Sequence, residues 1–102
     1  MLPSFDTHRI TAILSQFGCS PREAQVYIRA LSAGPSSVQE LARQLDQNRV
    51  TVHGAVGGLI EKGLLFETRR GKRRLVAAED PQVLQRLWRR KQAEWELVRG
   101  NL

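Results

Sequence analysis

Residues 37–63 read SVQELARQLDQNRVTVHGAVGGLIEKG, and this stretch decides the fold. It opens on Ser37-Val38-Gln39-Glu40, a capping-box pattern: the serine hydroxyl accepts from a backbone N–H three residues on, and the glutamate returns the bond. A short helix follows, with Val38, Leu41, Ala42 and Leu45 on its inner face. Asp46-Gln47-Asn48 is a turn that ends in a cap for the next helix, expected over 49–62. Along that helix Val52, Val56, Leu59 and Ile60 recur at helical spacing. Gly63 suits the left-handed position that closes a helix. Two short helices joined by so tight a turn predict a helix-turn-helix.

The flanks extend this reading. Upstream, Ser20-Pro21-Arg22-Glu23 supplies an N-cap, a first-position proline and a capping glutamate. The helix they open runs to about Ala33, with Ala24, Tyr27, Ile28 and Leu31 as its apolar stripe, and Gly34-Pro35 ends it. Before it, Ile10, Ile13, Leu14 and Phe17 mark an amphipathic helix that starts near Asp6 or Thr7 and stops at Gly18. Downstream the period changes. Residues 64–68 and 73–78 are strand-like, and Arg69-Arg70-Gly71-Lys72 between them is a hairpin tip. Asp80-Pro81 opens a last helix. The expected fold is mainly α with a small β-hairpin: a winged helix-turn-helix over 1–79, then a C-terminal coiled-coil helix over 80–102 that serves dimerisation.

Composition narrows the partners. A chain of 102 residues holds one small domain with little room for an elaborate active site. A hydrophobic fraction of 41% is enough for a packed core, and the net charge of +6 points to an anionic partner. No apolar run is long enough for a membrane span, and the first residues lack the pattern of a signal peptide. The single cysteine, Cys19, sits among apolar residues and reads as a small buried hydrophobe; a cytoplasmic, nucleoid-associated location is expected. Histidines His8 and His53 and that cysteine have no metal-site spacing, so neither metal nor cofactor is expected. No serine, cysteine or carboxylate pair has a catalytic arrangement, and Glu23 and Glu40 are explained as caps; the chain does not read as an enzyme.

In a helix-turn-helix the second helix enters the major groove of DNA and leads with its N-terminal residues. Here that end carries Gln47, Asn48, Arg49 and Thr51. Arginine bonds a guanine edge twice, and Asn or Gln can do the same to adenine. The basic hairpin, with Arg69, Arg70, Lys72, Arg73 and Arg74, is suited to a phosphate backbone or a minor groove. The full set expected on double-stranded DNA is Ser37, Gln47, Asn48, Arg49, Val50, Thr51, His53, Arg69, Arg70, Lys72 and Arg73. Gly54, Gly57 and Gly58 pose a question, since glycine in a helix interior costs roughly 0.8–1.0 kcal/mol relative to alanine. At least two of them face outward. Either they let the helix sit close to DNA, or they let a neighbouring helix pack closely, or they are simply tolerated.

From Leu84 the stripe Leu84, Trp88, Lys91, Trp95, Val98, Leu102 steps by four and three in alternation, the period of a coiled-coil seam. The first five are the expected dimerisation residues, and a second copy is the simplest partner. The alternative is that the helix folds back on its own domain; Val83 and Leu87 are placed to do that locally while the later turns dimerise.

Several of these elements together resemble the N-terminal domain of TrmB-type transcriptional regulators. They are Glu23-Ala24, Val26-Tyr27, Leu41-Ala42, Arg49, Thr51-Val52, Leu59, Lys62-Gly63-Leu64 and the AEDP run at 78–81. The resemblance spans about residues 10 to 95. It implies a winged helix-turn-helix, DNA binding and a dimerising helix after the wing. His53 stands where the family usually has tyrosine, Val50 where a small polar residue is common, and the three glycines replace residues with side chains. Longer members continue into a sugar-sensing effector domain. The expectation is therefore a short stand-alone regulator or a fragment of a longer one, with no small-molecule effector on this chain.

The function expected is a homodimeric, sequence-specific DNA-binding transcriptional regulator. A winged-helix module that docks a protein, and a nonspecific architectural DNA binder, are the alternatives.

Overall fold

A computed structural model describes residues 7–100. The elements run α1 (Thr7–Gln16), α2 (Pro21–Ala33), α3 (Val38–Leu45), α4 (Arg49–Glu61), β1 (Leu65–Arg70), β2 (Arg73–Ala78) and α5 (Pro81–Gly100). Five helices and one antiparallel hairpin reproduce the expected winged helix-turn-helix. Asp6, named as a possible start of α1, and Leu102, the last residue of the expected seam, lie outside the described residues.

The punctuation works as the residue types dictate. Ser20 caps α2 in a complete capping box: its hydroxyl accepts from the Glu23 N–H at 3.1 Å, and Glu23 accepts from the Ser20 N–H at 2.9 Å. The second box is only half realised. Ser37 accepts from the Glu40 N–H at 3.1 Å, but the Glu40 carboxylate is drawn to the guanidinium of Arg73. A cation offers a carboxylate more than a backbone amide does. Gly63 adopts φ 76°, the left-handed conformation expected after α4.

The core is formed where α2, α3 and α4 converge on the hairpin. Leu14, Val26, Tyr27, Leu41, Val52, Leu59, Leu64 and Leu84 are fully buried there. Tyr27 is the largest of them, and its phenol donates to the Glu79 carbonyl at 2.7 Å. A buried hydroxyl needs such a partner. Burial first, then the nearby Asp80 and Glu79 charges, push its ionisation well above the usual range, so it remains a donor. The bond ties α2 to the entrance of α5.

The hairpin pairs Leu65 with Ala78 through to Arg70 with Arg73. Its tip is therefore only Gly71-Lys72, shorter than the four residues expected, because Arg69 and Arg70 continue β1. Gly71 has φ 64°, which the first position of such a two-residue turn favours. At the other end Ser36 bonds Val76 in both directions, at 3.0 and 2.8 Å, so the segment before α3 anchors β2. The wing is thereby fixed beside the helix-turn-helix.

Candidate nucleic-acid interface

The entrance to α4 is set by two residues. Asp46 adopts the left-handed conformation, φ 54°, and turns the chain out of α3. Asn48 is extended and its Oδ1 accepts from the Val50 N–H at 2.7 Å, as an N-cap does. The Asn48 carbonyl is thus engaged, whereas a two-bond reading of adenine needs both halves of the amide. Gln47 is also turned inward: its Nε2 donates to Gln25 Oε1 on α2 at 3.0 Å. Of the polar side chains at this end, Arg49 is left exposed and Thr51 partly so.

Beside them lies a recess of about 390 Å³ between α4 and the wing. Arg49 and His53 come to it from α4, Arg74 and Glu67 from the hairpin, and Ser37 and Gln39 from the start of α3. Val38, Val56, Ile60 and Val76 form its floor. Three of the residues expected on DNA, Ser37, Arg49 and His53, are thus brought together with Arg74.

The wing carries Arg69, Arg70, Lys72, Arg73 and Arg74, all exposed. Arg69 lies opposite Arg74, and Arg70 opposite Arg73. Like charges directly across a strand pair are destabilising, and a phosphate between them removes that cost. Arg73 differs from the others in its pairing with Glu40. The hydrogen bond from Arg73 is the main reason that the Glu40 carboxyl ionises below its usual range. Arg73 thus fastens the wing to α3.

The glycine question has two answers. A Cβ at Gly54 or Gly57 would meet open space, since both lie on the exposed face of α4. A Cβ at Gly58 would collide with Oε2 of Glu23. Glu23 is held there by Ser20 and by Lys62, whose Nζ lies 3.1 Å from Oε2. Partial burial opposes ionisation of Glu23, but the Ser20 amide and the Lys62 ammonium outweigh it and hold the carboxyl below its usual range. Sequence reasoning missed Arg22. It lines a groove with Val50, Thr51 and Gly54, so α2 brings a cation beside the leading turn of α4. Its only signal was a position inside a capping motif, which reads as structure. Cys19 is half-buried; burial, then the Glu23 charge, push its thiol up, as for the small hydrophobe expected.

The expected seam on α5 divides. Leu84 is buried in the domain's own core and is unavailable to a partner, because the first turn of α5 closes that core. Trp88 packs edge-on against Phe17, in the turn that follows α1, at 6.4 Å, and Lys91 Nζ lies 5.3 Å from the centre of the same ring. Trp95 and Val98 are exposed, at 61% and 55%.

The sequence profile of the family described as "Sugar-specific transcriptional regulator TrmB" matches residues 14–82. The chain belongs to the TrmB family. The match takes in the helix-turn-helix, the wing and the entrance to α5. Among solved structures, a protein of the thermoacidophilic archaeon Sulfolobus tokodaii superposes with a TM-score of 0.76 at 15% identity, covering 92% of this chain and 98% of that one. An ArsR-like transcriptional regulator from Rhodococcus sp. RHA1 gives 0.64 at 18% identity, covering 93% and 91%. A Mycobacterium bovis domain, described as a homodimeric winged helix-turn-helix DNA-binding domain, gives 0.60 at 19% identity, covering 86% and 80%. Comparison with curated protein sequences gave no match.

This TrmB-family chain has a winged-helix fold, and its family is one of transcriptional regulators. Among the described residues no helix is long and apolar enough to cross a membrane.

Proposed function

We propose that the protein is a homodimeric, sequence-specific regulator of transcription that acts on double-stranded DNA in the cytoplasm. α4 lies in the major groove, with Arg49 reading a base edge and His53 beside it. Asn48 positions that helix as its cap and keeps its amide NH₂ for the DNA. Gln47 acts through its bond to α2, and Ser37 through its cap of α3. Arg69, Arg70, Lys72 and Arg74 follow the phosphate backbone, while Arg73 divides its charge between Glu40 and the DNA. Residues 1–79 form the DNA-binding unit and 80–102 the dimerisation helix, whose first turn also closes the core of that unit. Trp88, Lys91, Trp95 and Val98 carry the seam, and a two-fold dimer presents two α4 helices to a pseudo-palindromic site.

The observation that carries this reading is the convergence of Arg49, His53 and Arg74 on one recess between α4 and the wing. Cations from two elements around a common groove suit a polyanion that runs past both. The test is selection from a pool of random duplex DNA at physiological salt. Enrichment of a pseudo-palindrome is expected, and binding should weaken with salt at a slope near −0.9 per phosphate contacted. Retention without enrichment would leave a nonspecific binder. No retention would shift the reading to protein docking.

A further inference from the structure

Val50 is 79% exposed, more than any other large apolar side chain among the described residues. It stands at the second position of α4, between Arg49 and Thr51, where a polar side chain would be the ordinary choice for a solvated turn. Its position is tightly held. The Val50 N–H is bound by the Asn48 side chain at 2.7 Å, and a β-branched residue in a helix keeps one strongly preferred side-chain rotamer. The two methyl groups therefore project in a fixed direction.

The residues that share this face explain what they can reach. Positions four and seven beyond Val50 lie on the same helical face. They are Gly54 and Gly57, both exposed and both with open space where a Cβ would stand. At these two positions the helix presents backbone alone, while Arg22 of α2 lines the groove beside Val50 and Gly54. A valine cannot bond the donors and acceptors of base edges. The one apolar group on a base edge in the major groove is the C5 methyl of thymine.

We infer that Val50 is a specificity-determining residue that selects thymine by contact with its C5 methyl, with Gly54 and Gly57 admitting the helix to the required depth. This deepens the DNA-binding reading above and rests on it.

The experiment starts from the site selected with the wild-type chain. Each thymine is replaced in turn by uracil, which lacks only the C5 methyl, and affinity is measured by fluorescence anisotropy for wild type, Val50→Ala and Val50→Thr. At one thymine in each half-site, uracil should weaken the wild type by roughly three- to five-fold, the effect of one buried methyl. Val50→Ala should bind the thymine site more weakly by a similar factor and no longer distinguish thymine from uracil. Val50→Thr, which keeps one methyl, should fall between them. Both variants are exposed first-turn substitutions, and an unchanged circular dichroism melt verifies the fold. The inference is overturned if uracil at every position leaves wild-type affinity unchanged, or if Val50→Ala discriminates as the wild type does. Failure of the parent reading appears earlier, as a selection that enriches no site, and removes the inference with it.

Discussion

The carboxylate of Glu23 and the ammonium of Lys62 lie 3.1 Å apart, joining the first turn of α2 to the C-cap of α4. Both side chains are mostly shielded, and the carboxylate also receives the Ser20 amide. This junction runs directly beneath Gly58. One glutamate thus caps a helix, holds a second helix by its end and leaves room for a methyl at Gly58 only if its carboxylate shifts.

The same substitution should therefore have two outcomes along α4. Gly54→Ala and Gly57→Ala place a methyl in open space, so each should raise stability by about 0.8–1 kcal/mol. Both should weaken DNA binding, because they raise the face that approaches the groove. Gly58→Ala should show no such gain, since its methyl displaces Glu23 from Lys62. Urea denaturation measures the first effect and anisotropy the second. Equal stabilisation at all three positions would refute the close approach of Glu23.

Acid should loosen the same junction. The Glu23 carboxyl is held below its usual range, so its ionised form is favoured by folding. Its contribution is complete above the unfolded value, about 4.3, and is lost as pH falls through the lower folded value. Glu23→Gln removes the charge at every pH. The variant should be less stable than wild type by on the order of 1 kcal/mol at neutral pH, and the two should converge on acidification. Thermal melts across the acid range test this; a gap that persists at the acid end would mean the charge is not its source.

The order of elements was legible in the sequence because local chemistry specifies it. Ser20, Pro21 and Gly63 act where they stand, and the buried stripes recur at helical spacing. What was not legible depends on partners distant in the chain. Glu40 reads as a capping residue until the hairpin brings Arg73 to it, 33 positions away. Gln47 reads as a base-contacting side chain, and nothing local announces its bond to Gln25 of α2. The seam pattern from Leu84 onward has one period, but Phe17, just past α1, covers Trp88, and packing sets where the stripe passes from an inner to an outer segment. Gly54, Gly57 and Gly58 are alike as letters and differ only in what lies opposite.

Two arginines should separate reading from holding. Arg49 stands exposed at the head of α4, and Arg70 near the tip of the wing. Arg49→Ala should cost about 1–3 kcal/mol on the selected site and relax preference at one base position. Arg70→Ala should weaken all duplexes alike and reduce the salt slope by about one phosphate contact. Competition against duplexes altered at single positions distinguishes them. Uniform losses for Arg49→Ala would move it to the backbone contacts.

Along α5 the two ends should respond to truncation in different currencies. Leu84 is buried to 1% exposure, and Leu84→Ala should cost about 2–5 kcal/mol of domain stability, the range for a large apolar side chain removed from a core. Trp95 is 61% exposed and touches too little of its own domain to matter in that way. Trp95→Ala should leave the spectrum of the folded domain intact while shifting sedimentation from dimer toward monomer. DNA affinity should then fall with it, because two half-sites bound by linked domains gain from effective concentration that separate domains lack. Trp88→Ala, which also removes the contact with Phe17, should combine both effects. A Trp95→Ala chain that sediments as the wild type does would place the dimer contact elsewhere on the molecule.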